Sequence, residues 1–128
     1  MHPELTHVRG IEELDKLLTE SETRPLLLFK HSYTCGISAE AFDELIAHLN
    51  GGGPRSGDVG ISNDVRAKYA VVTVQTHRDV SNAVTMRLGV RHETPQALVI
   101  RERQVIWSAS HFRVTADAMH AAIRAAAQ

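Results

Sequence analysis

Two short, unbroken apolar runs dominate the pattern of this chain: LLLF at residues 26–29 and the β-branched YAVVTVQ at 69–75. Each is too short for a buried helix and lacks the polar alternation of a half-exposed strand, so both read as strands covered on both faces. Between them Phe42, Leu45, Ile46 and Leu49 recur at helical spacing, in a helix that begins at Cys35 and stops before Gly51-Gly52-Gly53-Pro54. Strand, helix and strand in this order imply a parallel pair joined by a right-handed crossover, with the helix packed on the sheet.

The remaining segments extend this unit. Ile11, Leu14, Leu17 and Leu18 predict a first helix over 11–21, and Val80, Ala83, Val84 and Leu88, closed by Gly89, predict a third. Pro95 opens a strand over 96–100, a polar turn covers 101–104, and 105–109 return as its hairpin partner. Thr115 is placed to cap a last, alanine-rich helix running to Gln128. The GGGP-containing segment 50–63 reads as a surface loop inside the domain. The order α-β-α-β-α-β-β-α predicts an α/β fold: a mixed four-stranded sheet with helices on both faces, in one domain spanning 1–128. In that topology residues 30–38, 75–79, 92–96 and 109–112 converge at one edge of the sheet.

With 128 residues the chain can bury its own core. Its single cysteine, Cys35, excludes an internal disulfide framework, a multi-cysteine zinc module and a self-contained dithiol pair. Fourteen Lys and Arg against 15 Asp and Glu, with no basic cluster, argue against nucleic acid or an anionic membrane surface as partner. The first residues carry neither a basic segment nor an apolar core of signal-peptide type, and no apolar run is long enough to span a bilayer. A soluble cytoplasmic protein is the expectation, and an unpaired thiol suits a reducing compartment.

Cys35 falls at the predicted strand-to-helix junction, where free backbone N–H groups and the helix dipole favour a thiolate; the competing reading is an inert core thiol. Lys30 and His31 just upstream add positive potential. Ser38, three residues on, occupies the place of a resolving thiol: it can hydrogen-bond a thiolate but cannot resolve a mixed disulfide, and it is equally a plain helix-start hydroxyl. Thr94-Pro95 opens the third strand; a trans bond is the expected form, whereas a cis bond would present the Thr94 backbone to an extended ligand. Of eight histidines, His2, His7, His48 and His120 read as solvated surface residues, while the topology brings His31, His77, His92 and His111 to the edge that carries Cys35. No zinc-like spacing is present, and no metal site is expected.

With this element order, the C-x-x-S motif at 35–38 and Thr94-Pro95 before the third strand, the chain resembles the thioredoxin superfamily. The blocks FKHSYTCGIS (29–38), VQTHRDVSNAV (74–84), VRHETPQALVI (90–100) and VIWSASHF (105–112) narrow the resemblance to the monothiol bacilliredoxins, also called YtxJ-like or bacilliredoxin C, over residues 9–123. The resemblance implies a thioredoxin fold in which Cys35 takes the bacillithiol group from an S-thiolated client protein, after which a second small thiol regenerates it. Bacillithiol, or another low-molecular-weight thiol, is then a co-substrate, and no tightly bound cofactor is implied. Cys35 and Ser38 are the catalytic candidates, and Lys30, Thr34, Arg78, His92, Thr94, Pro95, Ser110 and His111 are the candidates for holding the small thiol.

The family usually carries proline after the cysteine, where this chain has Gly36. CGIS therefore also approaches the CGFS of monothiol glutaredoxins, which bind glutathione and can bridge a [2Fe-2S] cluster. Those proteins carry Gly-Gly and Asp before the last helix, where this chain reads SASHFRV; there Ser110 and His111 match the bacilliredoxin pattern. A glutathione or cluster carrier and a non-catalytic thioredoxin-fold binding module are the alternative readings.

Overall fold

The computed structural model describes residues 4–50 and 67–127. In chain order these form β1 (Leu5–His7), α1 (Ile11–Glu20), β2 (Leu26–His31), α2 (Gly36–Leu49), β3 (Lys68–Thr73), α3 (Arg78–Leu88), β4 (Gln96–Arg101), β5 (Gln104–Ser110), a 3-10 turn (His111–Arg113) and α4 (Ala116–Ala126). The expected loop over 50–63 lies outside the described residues, apart from Asn50, which closes α2.

The sheet has the order β1-β3-β2-β4-β5, so the expected four strands are corrected to five. The additional strand, β1, pairs parallel to the outer side of β3, with Leu5 opposite Tyr69. Leu-Thr-His is too short to show a period, and the strand forms because the backbone groups of β3 need a partner on that side. The β2–β3 pair is parallel and the β4–β5 pair antiparallel, as the sequence order predicts.

Burial on both faces explains the unbroken apolar runs. Leu27 and Phe29 of β2 enter one core with Ala41 and Leu45 of α2 and Met119 and Ile123 of α4. Leu26 and Leu28 point the other way, toward Leu14 and Leu18 of α1 and Val80 and Val84 of α3. This alternation also decides where the last two residues of β2 go: Lys30 follows Leu26 and Leu28, and His31 follows Phe29. Gly89 adopts φ +66° at the end of α3, and the Thr115 hydroxyl accepts the Ala118 N–H at 3.1 Å at the start of α4, both as the sequence indicates.

Two local expectations change. The β4–β5 turn is two residues long, Glu102 and Arg103, both left-handed (φ 53° and 64°), so each strand is longer than expected. Ser21 holds this turn: its carbonyl accepts from Glu102 N–H at 2.7 Å and its hydroxyl accepts from Arg103 N–H at 3.0 Å. His48, expected at the surface, is buried at 8% exposure and its Nε2 lies 2.8 Å from the Tyr69 hydroxyl. Its ring meets that of His120 edge-on at 6.1 Å. His48 lies on the inner side of α2, where the Tyr69 hydroxyl serves its Nε2 while its Nδ1 is buried without a hydrogen-bond partner among the described residues.

Candidate active site

Cys35 is the N-cap of α2. Its backbone is extended (φ −112°, ψ 123°), its carbonyl accepts the first helical bond from Ala39 at 3.1 Å, and its side chain is half-buried. The thiol therefore stands at the helix N-terminus, where unpaired N–H groups favour negative charge. Gly36 occupies the first helical position, and a Cβ built there meets no heavy atom within 4 Å. Proline fits such a position, and the extended Cys35 is compatible with a following proline. Gly36→Pro is accordingly expected to raise stability by about 0.5–1 kcal/mol, through loss of unfolded-state freedom. A lower urea midpoint for the variant would refute this.

The loop before Cys35 is tied from two sides. The Gln75 amide donates to the Ser32 hydroxyl at 2.6 Å and to Thr34 Oγ1 at 3.0 Å, joining the end of β2 to the segment after β3. Ser38 is fully buried; its Oγ accepts the Ser32 N–H at 3.0 Å and lies 2.8 Å from His31 Nδ1. Among the described residues it makes no hydrogen bond to the Cys35 sulfur. Ser38 instead fixes the loop that carries Cys35. His31 packs between Phe29 and Phe42, with ring centroids 5.9 and 4.9 Å away. Burial, with a smaller effect from His7, holds its pKa below the usual value, so at neutral pH His31 serves Ser38 as a neutral partner and adds no positive potential.

The four segments expected at this edge do meet. Lys30, fully buried, places Nζ 2.6 Å from His92 Nδ1, and burial lowers its pKa to about 8. The Lys30 charge is thus directed to His92. Arg78 is exposed as the first residue of α3, and its charge reaches His92. Thr94-Pro95 is cis, the isomer that the sequence left open against the more frequent trans form. Among the described residues nothing hydrogen-bonds the Thr94 backbone, whereas the Pro95 carbonyl accepts from His111 N–H at 3.0 Å. Ser110 ends β5 opposite Gln96, and the exposed His111 has Nδ1 3.7 Å from Glu93. His77 caps α3 beside Thr76 Oγ1 at 2.9 Å.

Sequence reasoning missed Ser32, Gln75 and Gln96, whose side-chain amide donates to the Arg91 carbonyl at 3.0 Å. Gln75 reads as the end of a strand, and the other two carry no motif. Their signal is positional, since uncharged polar residues at strand ends on the convergent edge are the ones available to tie loops together.

Among the described residues no three His, Cys, Asp or Glu side chains are grouped to hold a metal ion, and no helix is long and apolar enough to cross a membrane.

Comparison with known proteins agrees with this geometry. A protein provisionally described as an oxidoreductase with a thioredoxin fold superposes with a TM-score of 0.72 at 24% identity, covering 92% of each chain. Thioredoxin from Fasciola hepatica superposes at 0.67 with 13% identity, over 94% of this chain and 97% of its own. A mutant thioredoxin from Halobacterium salinarum superposes at 0.66 with 17% identity, over 100% of this chain and 96% of its own. These place the chain in the thioredoxin fold. The model of the family described as monothiol bacilliredoxin BrxC matches residues 6–119. The chain belongs to the monothiol bacilliredoxin family and is a thiol-disulfide oxidoreductase.

Proposed function

We propose that this protein removes a low-molecular-weight thiol, bacillithiol, from S-thiolated client proteins through Cys35. The observation that carries the reading is a half-exposed lone thiol at the N-cap of α2, with a buried hydroxyl, Ser38, where a resolving thiol would stand. The Cys35 thiolate attacks the small-thiol sulfur of the mixed disulfide. The new Cys35 disulfide forms as the old S–S bond breaks, and the bonding pair leaves with the client thiolate. A second small thiolate then attacks the cap sulfur, releasing the symmetrical small-thiol disulfide and restoring the Cys35 thiolate. Ser38 Oγ cannot perform this step, so the cycle requires a soluble thiol.

The Thr94 backbone, free of protein partners among the described residues, pairs with the peptide-like part of the small thiol. Thr34, Pro95, Ser110 and His111 border the same edge and contact the sugar or the client chain.

Purified protein is incubated with one client bearing either bacillithiol or glutathione, and intact mass is followed. The expected result is that the protein gains one bacillithiol cap and the client loses it, with slower transfer from glutathione. No cap on Cys35 from either client would overturn the proposal.

A further inference from the structure

Lys30 has no exposed surface, and among the described residues no carboxylate lies within ion-pair distance of its ammonium. A buried charge without a counter-ion costs several kcal/mol, so its persistence here calls for a purpose. Among the described residues its hydrogen-bond partner is Nδ1 of His92, at 2.6 Å, and His92 is itself exposed. An ammonium group only donates, so Nδ1 must accept and the ring hydrogen of neutral His92 sits on Nε2. Burial and the charges of Lys30 and Arg78 lower the His92 pKa, with the carboxylate of Glu93 opposing them. The result is an N–H on the far side of the ring from Lys30, fixed in direction and backed by a buried positive charge. Arg78 adds a guanidinium fork at the start of α3, where helix N–H groups also favour an anion. The nearby carboxylate, Glu93, has its Oε1 3.7 Å from His111 Nδ1.

We propose that His92 Nε2–H and the Arg78 guanidinium form a carboxylate subsite for the small thiol, with Lys30 as the positioning residue that fixes the His92 tautomer. This rests on the transfer reading above and adds to it the part of the thiol that is recognised. Carboxylates occur on bacillithiol, in its malyl group, and on glutathione.

The test compares clients capped with bacillithiol, with cysteinyl-glucosamine, which lacks the malyl carboxylates but keeps the sugar and the sulfur, and with glutathione. The full chain, Lys30→Met and Arg78→Gln are each assayed. The expected preference for bacillithiol over cysteinyl-glucosamine is about tenfold in kcat/KM, carried by KM, the worth of one charge-assisted contact. In both variants the ratio falls toward one. Because the ratio is internal to each variant, any unfolded fraction cancels. Nitrogen-15 spectra of the His92 ring are expected to report the Nε2–H tautomer in the parent and a mixture in Lys30→Met. A glutathione cap that slows in parallel in Arg78→Gln extends the subsite to both thiols. A parent ratio near one, or a ratio unchanged in both variants, overturns the subsite while leaving cap transfer standing. Transfer from none of the three caps overturns both.

Discussion

Replacing Cys35 with serine is expected to abolish cap transfer, lowering its rate by about a thousandfold or more, the scale seen when a covalent nucleophile is removed. The chain has no second thiol to take over, and a serine hydroxyl at the same N-cap is neither ionised near neutral pH nor able to form a disulfide. The fold should survive, because Cys35 is half-buried and its side chain makes no capping bond. Intact mass after incubation with the capped client, alongside an unchanged urea midpoint, checks both halves. A variant that still strips the client would mean that the cap is passed by some group other than the thiol. Ser38→Ala makes an informative contrast: it leaves the buried Ser32 N–H without its acceptor, at a cost of about 1–3 kcal/mol, and affects transfer only through the loosened loop.

The second large effect lies at the opposite end of α2 and concerns stability. Burial, with a smaller contribution from the charge of His120, depresses the His48 pKa from 6.5 to about 4. The folded state therefore resists protonation that the unfolded chain accepts. The stabilisation is complete above pH 6.5 and is lost as pH falls toward 4, at about 1.4 kcal/mol per pH unit and about 3 kcal/mol in total. For a domain of ordinary stability this is a substantial fraction. Urea unfolding at about pH 7.5 and about pH 4.5 is expected to differ by about 2–3 kcal/mol from this group alone. His31 and His92, whose pKa values are also lowered, add in the same direction. His48→Gln isolates the contribution of His48: it weakens the protein at the higher pH through the altered contact with Tyr69 yet flattens the acid dependence. Equal pH slopes for parent and variant would sink this assignment.

The two effects differ in how much of each could be read from residues alone. Cys35 was legible because its meaning is local: a thiol after an apolar strand, at the start of a helical period, with serine three residues on. His48 was not, because a buried and a surface histidine look alike in sequence. Its burial follows from the packing of α2 beside Tyr69 of β3 and His120 of α4, and the Tyr69 hydroxyl that bonds its Nε2 is 21 residues away. Ser38 shows an intermediate case. Its spacing from Cys35 marked it, but its partner proved to be the loop that positions the thiol.

Periodicity and punctuation in the sequence were sufficient for the helices, the buried strands, the hairpin, the Gly89 and Thr115 caps and the monothiol character, since each depends on contacts within a few residues or on a count. The topology also implied that four distant segments share one edge. Tertiary structure alone decided the fifth strand, the buried His48, the cis form of Thr94-Pro95 and the pairing of Lys30 with His92. Strand alternation turns the Lys30 side chain into the face of Leu26 and Leu28, and there, with no carboxylate beside it among the described residues, a common surface cation becomes a buried charge bonded to an exposed imidazole.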